Sequence, residues 1–400
     1  MSQLRRHGGY RSFSYLEPGR DYRPFDLAPE VGRVPAYPMR VAEADAARAR
    51  RLLDDSIVIS LHDHPTVFPT DMGTVIDYNR QGRQVTGFEG LARSGMTAVV
   101  DNFMDGTCCI TSQMGWKWTD VIHDLGIRLS DLAHQDEVFL ATTVAHIREA
   151  HASGRLALIA GLEAATMIEN EVDRIDILYG FGVRQMGIAY SEANTLGSGL
   201  RETNDGGLTA FGRRAVERMN RIGMAIDISH SGDRTCLDVI DASSVPVLIT
   251  HAGSRTVWPS NRMKTDETIR ACAARGGVIG IEAAPHTTLS REHTAHSLES
   301  VMDHVVHCIE LVGVDHVAFG PDTLFGDHVG LHNAYAEHLS IGTIQADTPF
   351  FEHVEYVDGI ENPGENFHNI TTWLVTHGYS DEDIRALLGG NVLRVLEEIW

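Results

Sequence analysis

The stretch Gly207–His251, GLTAFGRRAVERMNRIGMAIDISHSGDRTCLDVIDASSVPVLITH, combines a helical pattern with short apolar runs. Apolar side chains recur every three or four residues in Phe211–Ile222, which predicts an amphipathic helix, and Gly223 is typical of the residue that ends one. Two runs of strand character follow, Met224–Ser229 and Val245–Thr250, and a histidine comes directly after each. Such alternation is typical of βα units around a parallel sheet.

The same alternation continues on both sides of this stretch. Six further runs have strand character: Ile57–Leu61, Thr97–Phe103, Leu156–Leu162, Val183–Ala189, Gly277–Ile281 and His316–Gly320. A ninth short run, Val138–Thr142, fits either an accessory strand or the start of a helical connection. Eight strands that alternate with helices predict an α/β fold, a TIM-type (β/α)8 barrel with its site at the C-terminal ends of the strands.

Two segments lie outside the repeated pattern. Residues 1–41 are rich in Arg, Pro, Gly and Tyr without periodicity, and we interpret them as an N-terminal arm that packs on the barrel or on a neighbouring subunit. Residues 42–400 then form a single barrel domain that begins with a helix over Ala42–Asp54. Residues 323–368 are the longest irregular region, and loops of that length are usually functional lids or disordered.

Composition excludes several classes of function. The chain has 33 basic and 55 acidic side chains, and a formal charge of -22 would repel nucleic acid and anionic membrane surfaces. No stretch of 18 apolar residues and no signal-peptide pattern occurs. The five cysteines are odd in number and lack C-x-x-C spacing, which is typical of core thiols in a reducing compartment. These features predict a cytoplasmic protein without a nucleic-acid or membrane partner.

Side chains of the kind that bind metals stand at the ends of five predicted strands. The first strand ends at His62 and His64, which lie two residues apart and therefore project to the same side of an extended chain. The other four strands end at Glu163, His230, His251 and Asp322. Imidazoles and carboxylates are the usual ligands of catalytic zinc, and a carboxylate can bridge two metal ions. The pattern predicts a site for two Zn²⁺ ions, with Asp322 left to exchange a proton.

Simpler interpretations exist for each of these residues taken alone. A single histidine at a strand end is usually a structural hydrogen-bonding group, and a carboxylate there is often only solvated. The joint pattern is harder to explain in that way. Three other pairs of histidines have no convergent partners in the sequence, and we expect them on solvated surfaces: His293 and His296, His304 and His307, and His328 and His332.

Gly207–His251 resembles the core block of the membrane (renal) dipeptidase family of zinc peptidases. The likeness takes in most of the chain and leaves out the N-terminal arm and the loop after Asp322. It extends to the first-strand motif at His62, to Gly161-Leu162-Glu163, to Gly276-Gly277-Val278, to Gly320-Pro321-Asp322 and to the C-terminal LGGNVLRV at residues 388–395. The resemblance implies an amidohydrolase-like metal-dependent hydrolase that acts on a dipeptide, and it suggests a homodimer.

The same resemblance implies a role for individual residues. Glu163 would bridge two zinc ions, with His62 on one ion and with His230 and His251 on the other. Asp322 would be the acid/base group beside the substrate amine. Arg262, eleven residues past His251, matches the arginine that holds the substrate carboxylate, although a surface loop arginine would have the same spacing.

The chain departs from the family pattern at two places. Where the family usually has His-x-Asp, this chain has His62-Asp63-His64, so His64 stands at the aspartate position as a candidate metal ligand, and Asp63 is left with an indirect role. Where the well-known dipeptidases have a histidine that contacts the reacting carbonyl, this chain has Tyr190, followed by Asn194. Tyr190 is a candidate catalytic and substrate-binding residue and Asn194 a candidate substrate-binding residue, although a tyrosine packed at the barrel rim fits equally.

Three hypotheses about function follow from these observations. The first is a binuclear zinc hydrolase that cleaves the amide bond of dipeptides or similar small carboxylate-bearing substrates. The second is a related amide or lactone hydrolase that acts on a non-peptide metabolite, which His64 and Tyr190 favour. The third is a barrel that binds a ligand or partner without catalysis, and the nearly complete set of ligand-type side chains argues against it.

Overall fold

A computed structural model of the chain describes residues 8, 10–104, 117–285, 287–338 and 354–400. Eight strands make one curled parallel sheet, which confirms the (β/α)8 barrel: β1 (Ile59–Val67), β3 (Ala98–Met104), β5 (Leu156–Leu162), β6 (Val183–Gly187), β7 (Ala225–Asp227), β8 (Leu248–Ala252), β9 (Val278–Ile281) and β10 (Val317–Phe319). Each pairs in parallel with its neighbour in that order. The eight runs predicted from the sequence are these eight strands.

Three short strands flank the barrel. The first, β2 (Val85–Thr86), pairs antiparallel with the end of β1, which therefore continues to Val67 and carries His62 and His64 within it. The second, β4 (Val138–Leu140), pairs with the start of β5, so the ninth run is an accessory strand. The third, β11 (Leu324–Phe325), pairs in parallel with β1.

Helices cover the outside of the sheet. They are α1 (Glu43–Asp55), α2 (Val75–Gln81), α3 (Phe88–Leu91), α4 (Trp118–Leu132), α5 (Val144–Ser153), α6 (Asp173–Gly180), α7 (Ala210–Ile222), α8 (Asp233–Ala242), α9 (Asp266–Ala274), α10 (Leu298–Val312), α11 (His328–His338), α12 (Asn366–Thr376), α13 (Asp381–Arg385) and α14 (Asn391–Ile399). As predicted, a helix ends at Gly223, which adopts the left-handed conformation. No helix in the described ranges is long and apolar enough to cross a membrane.

The segment after β10 closes the barrel against β1. The backbone N–H of Asp322 donates to the carbonyl of His62 at 3.0 Å, and that of His64 donates to the carbonyl of Thr323 at 2.9 Å. The side chain of Asp63 points away from the two histidines and accepts from the backbone and hydroxyl of Thr323 at 2.8 and 2.7 Å. The indirect role expected for Asp63 is therefore to join the first and last strands, which brings Asp322 beside His62.

Two segments that lacked periodicity contain ordered contacts. Residues 10–13 of the arm lie against α4, where the carboxylate of Asp131 accepts the backbone N–H of Phe13 at 2.7 Å, and Phe13 is buried. The boundary between residues 41 and 42 stays a prediction. The prediction that residues 323–368 form an irregular region is wrong in part, because β11 and α11 lie within it. Neither element has a strong hydrophobic period, so no signal of them was present in the sequence. Residues 339–353 lie outside the described ranges.

The cysteines in the described part of the chain are core thiols. Cys236, Cys272 and Cys308 are buried and unbonded to one another. Burial raises the pKa of each of these three thiols, which keeps them protonated and unreactive. Cys108 and Cys109 lie outside the described residues.

Candidate metal centre

The carboxyl ends of five strands bring the predicted ligands into one cluster. The Nε2 atoms of His62 and His64 on β1 lie 3.2 Å apart. The Oε1 atom of Glu163, which follows β5, lies 3.0 Å from Nε2 of His62 and 3.4 Å from Nε2 of His64. All three side chains are buried. The alternation of side chains along β1 therefore directs both histidines into the barrel, as the sequence predicted.

A second histidine pair lies beside the same carboxylate, and the ring of His251 stacks on that of His62 with centroids 3.4 Å apart. The Nε2 atoms of His230 and His251 lie 3.0 Å apart, and Nε2 of His251 is 3.7 Å from Oε1 of Glu163. The nitrogen and oxygen atoms of Glu163, His230 and His251 form one group that could hold a metal ion. Glu163 belongs both to this group and to the group of His62 and His64, so its carboxylate is shared by two candidate ligand groups.

Asp322 completes the first group from the barrel seam. Its Oδ1 atom lies 3.2 Å from Nε2 of His64 and 3.4 Å from Nε2 of His62. Its side chain is 13% exposed, whereas that of Glu163 is 3% exposed. The backbone of Asp322 has a φ of 58°, a left-handed conformation that costs a non-glycine residue energy. The closing bonds of the seam hold it there.

The protonation states of the cluster follow from burial and mutual attraction. Burial alone would raise the pKa of Glu163 and of Asp322, but hydrogen bonds with His62 and His64 outweigh it and lower both pKa values. Burial also acts to lower the pKa of His62, and the same two carboxylates reverse this and raise it to about 9. Both carboxylates are therefore ionised.

The second histidine pair is neutral. Burial, together with the positive charge of Arg262, lowers the pKa values of His230 and His251 well below their usual range, and the charge of His62 adds to the effect at His251. A neutral imidazole keeps one nitrogen lone pair, which is the form that binds a metal ion.

Polar groups behind the rings contact the Nδ1 atoms of three of the four histidines. Nδ1 of His64 lies 3.2 Å from the carbonyl oxygen of Asn102, which can only accept, so Nδ1 carries the proton and Nε2 presents its lone pair to the cluster. The side-chain amide of Asn102 contacts Nδ1 of His62 at 2.8 Å. Nδ1 of His251 lies 2.8 Å from the hydroxyl of Thr250. Four imidazoles, the buried carboxylate of Glu163 and the partly exposed carboxylate of Asp322 are the donor types that hold divalent metal ions.

The predicted substrate-binding residues lie at different places around the cluster. The ring of Tyr190 stacks on that of His230 with centroids 4.0 Å apart. Arg262 is buried beside the cluster, and its guanidinium donates to the carbonyl of His251 at 3.0 Å. The amide of Asn194 donates to Ile188 and Thr166 and accepts from Leu196 and Gly197, so it shapes the loop after β6. A substrate contact by any of the three stays a prediction.

The sequence analysis missed Glu282. This carboxylate is fully buried, forms an ion pair with Arg262, and offers an oxygen within 4.8 Å of ligand-type atoms of His251 and Asp322. Burial raises its pKa to about 7, although the charge of Arg262 opposes the rise. Glu282 directly follows the predicted strand Gly277–Ile281, so a search of every strand end for polar residues would have found it.

The prediction that the remaining histidine pairs lie on solvated surfaces is wrong in part. His304 is fully buried between the carbonyl of Leu289, 2.7 Å from Nε2, and the backbone N–H of Ser254, 2.9 Å from Nδ1. His296 and His328 are buried as well. His296 and His304 satisfy polar backbone groups inside the fold, and the ring of His328 packs edge-on against that of His332 with centroids 4.7 Å apart. Both roles depend on tertiary contacts or burial and leave no pattern in the sequence.

Fold and cluster together define a (β/α)8 barrel with metal-binding residues at the carboxyl ends of its strands. Residues 47–336 match the membrane dipeptidase family (peptidase family M19), and the chain belongs to this family.

Relatives of known structure share the fold. An amidohydrolase from Pseudomonas aeruginosa is 24% identical with a TM-score of 0.73, over 88% of this chain and 99% of that one. A metallopeptidase from Rhodobacter sphaeroides, liganded with a phosphinate mimic of the dipeptide L-Ala-D-Ala, is 21% identical with a TM-score of 0.66, over 86% of this chain and 100% of that one.

A curated relative is similar in sequence. Dipeptidase verJ of Clonostachys rogersoniana is 29% identical over 282 residues, which are 70% of this chain and 63% of that protein. The chain also spans only 58% of dipeptidase tcpJ of Claviceps purpurea, at 27% identity. It therefore matches less than two thirds of these relatives' lengths.

Proposed function

We propose that the protein is a metal-dependent hydrolase that holds two zinc ions and cleaves the amide bond of a dipeptide or a similar small carboxylate-bearing substrate. The observation that carries the proposal is the position of Glu163, whose carboxylate belongs to two candidate ligand groups, one with each histidine pair. A shared carboxylate between two sets of imidazoles is the arrangement that a two-metal hydrolytic site requires.

Each ion would have its own histidine pair. His62 and His64 with Glu163 would hold one ion, and His230 and His251 with the same carboxylate would hold the other. When bound, zinc acts as a Lewis acid toward the scissile carbonyl and makes water more acidic. His64 supplies a neutral nitrogen where the family usually has an aspartate, so the first position carries one negative charge fewer.

Residues around the metal positions would complete the reaction. Asp322 is ionised, within reach of both β1 histidines and the more exposed of the two cluster carboxylates, so it would take a proton from attacking water and return it to the leaving amine. Tyr190, which lies against His230, would donate its hydroxyl to the developing oxyanion. Arg262 would orient the far end of the substrate.

Similarity supports the dipeptide as the substrate class. The Rhodobacter sphaeroides structure contains a dipeptide mimic, and the two fungal relatives are named dipeptidases. The alternative is an amide or lactone hydrolase for a non-peptide metabolite. This alternative is favoured by Glu282, because its carboxylate already forms an ion pair with Arg262, the arginine expected to hold a substrate carboxylate.

Metal analysis tests the two-metal site directly. We expect two zinc equivalents per chain in the purified protein and at most one in Glu163→Gln, because the amide has no negative charge to share between two cations. Glu149→Gln, an exposed carboxylate paired with Arg155, is the matched control and should retain both ions. Fewer than one bound metal per wild-type chain would contradict the proposal.

Turnover tests the reaction and the substrate class. Asp322→Asn should keep both metals and lose at least about 100-fold in kcat, the usual contribution of a general acid/base. The substrate panel is L,L and L,D dipeptides beside N-acyl amino acids and lactones. Full zinc loading with no dipeptide turnover would exclude the dipeptidase, and turnover of the other compounds would then establish the alternative.

We further propose that the protein is a cytoplasmic homodimer. Family likeness supports the dimer, and the buried, unbonded thiols of the described part support a reducing compartment. Light scattering on the purified protein tests the first statement, and imaging of a tagged chain tests the second.

A further inference from the structure

The guanidinium of Arg262 is already engaged by groups of the protein itself. It forms a buried ion pair with the carboxylate of Glu282, and it donates to the carbonyl of His251 at 3.0 Å and to that of Ser229 at 3.5 Å. Two N–H groups of the arginine are therefore directed at backbone carbonyls, and its charge is paired with that of Glu282. The side chain of Arg262 is 9% exposed and that of Glu282 is fully buried.

Glu282 has few other groups to neutralise it. Besides Arg262, its carboxylate accepts a hydrogen bond from the hydroxyl of Thr288 at 3.3 Å. Its oxygen also lies within 4.8 Å of a carboxylate oxygen of Asp322. A second negative charge next to these two would be repelled over short distances in a buried, weakly screened environment.

These contacts change what Arg262 can offer a ligand. A substrate carboxylate that reached the guanidinium would lie beside the carboxylate of Glu282. The positive charge of Arg262 would then already be shared with Glu282. An uncharged group such as a carboxamide, an ester or a lactone carbonyl can accept from the remaining N–H groups without that repulsion.

We propose that Glu282 is a specificity-determining residue that neutralises Arg262, so that the site prefers substrates with an uncharged carbonyl group, and not a free carboxylate, next to the scissile bond. This inference rests on the proposed hydrolase function and changes its substrate class from a carboxylate-bearing substrate to one with an uncharged carbonyl group at that position.

The test is run at about pH 8, where the carboxylate of Glu282 is ionised, and compares one ligand pair that differs only in this charge, L-Ala-L-Ala and its C-terminal amide. We expect wild-type kcat/KM to be at least tenfold higher for the amide. Glu282→Gln should lower this preference at least tenfold, mainly through the KM of the free acid, because it leaves Arg262 without a counter-charge. Glu282→Asp keeps the charge and should retain the wild-type preference.

The control is Glu299→Gln, which changes a carboxylate on α10 that accepts from Trp373 at 2.9 Å and should leave the preference unchanged. Dissociation constants of both ligands, measured by calorimetry in the zinc-loaded Asp322→Asn background, separate binding from turnover. Selective binding of the amide, together with no hydrolysis of either ligand by the zinc-loaded wild type, would overturn the proposed function and leave the role of Glu282 standing.

Three results would overturn the inference itself. One is a wild-type protein that binds or cleaves the free acid at least as well as the amide. Another is a folded, zinc-loaded Glu282→Gln variant with an unchanged preference. The third is Asp322→Asn protein that binds neither ligand.

Discussion

Glu361 makes the stability of the fold depend on pH. Its carboxylate is buried, pairs with Arg33 of the N-terminal arm, and accepts the backbone N–H groups of Val357 at 2.7 Å and His328 at 3.2 Å. Burial is the largest influence and raises the pKa of Glu361 from 4.5 to about 7, although these partners oppose the rise. The folded protein therefore holds this proton more tightly than the unfolded chain does.

The magnitude follows from the two pKa values. Each tenfold difference in proton affinity corresponds to about 1.4 kcal/mol, so a rise from 4.5 to about 7 corresponds to roughly 3 kcal/mol. Because the pKa of Glu361 is higher in the folded protein than in the unfolded chain, the stability that its protonated form contributes is fully present below pH 4.5 and is lost as the pH rises to about 7. Above that, the buried charge reduces the free energy of unfolding by the full amount.

The assay compares the wild type with Glu361→Gln, which is uncharged at every pH. Free energies of unfolding in urea, measured with a chelator at about pH 4 and about pH 8, should show the variant gaining roughly 3 kcal/mol relative to the wild type between the two conditions. Glu365, whose pKa burial also raises to about 7, is present in both proteins and cancels in the comparison. A stability difference that is the same at both pH values would refute the reasoning.

Two further predictions concern the interior. Arg128 is buried and donates to Asp101 at 3.3 Å and to Thr66 at 2.6 Å. Arg128→Met should therefore lower the free energy of unfolding by about 3 kcal/mol, and adding Asp101→Asn should restore part of that loss because it removes the unpaired charge. Equal free energies of unfolding for the single and double variants would contradict this. Zinc at a thousandfold excess over its dissociation constant should raise the free energy of unfolding by about 4 kcal/mol, and a chelator should remove this stabilisation, as measured by thermal unfolding. The stability of Glu163→Gln should change much less on addition of the chelator.

The sequence by itself determined the eight barrel strands and the residues at their ends, because both are local patterns. A parallel strand buried on both faces is a short apolar run, and the barrel places the ends of all such runs at one rim. His62, Glu163 and His251 could therefore be grouped before any coordinate was known. The C-terminal end of β1 was harder to predict from the sequence, because the extension of this strand to Val67 depends on pairing with β2 and β11.

Only the tertiary structure decided which groups face one another. It brought Glu163 to both histidine pairs, closed the barrel through Asp63, and paired Arg262 with Glu282, a residue twenty positions away in sequence. Periodicity reports which face of a strand a side chain occupies, but the partner of a buried charge depends on the distance between strands and on the groups that remain unneutralised there. The sequence therefore predicts which side chains lie at the rim of the barrel. The packing of the strands determines which of their charges are paired and which ligands they can bind.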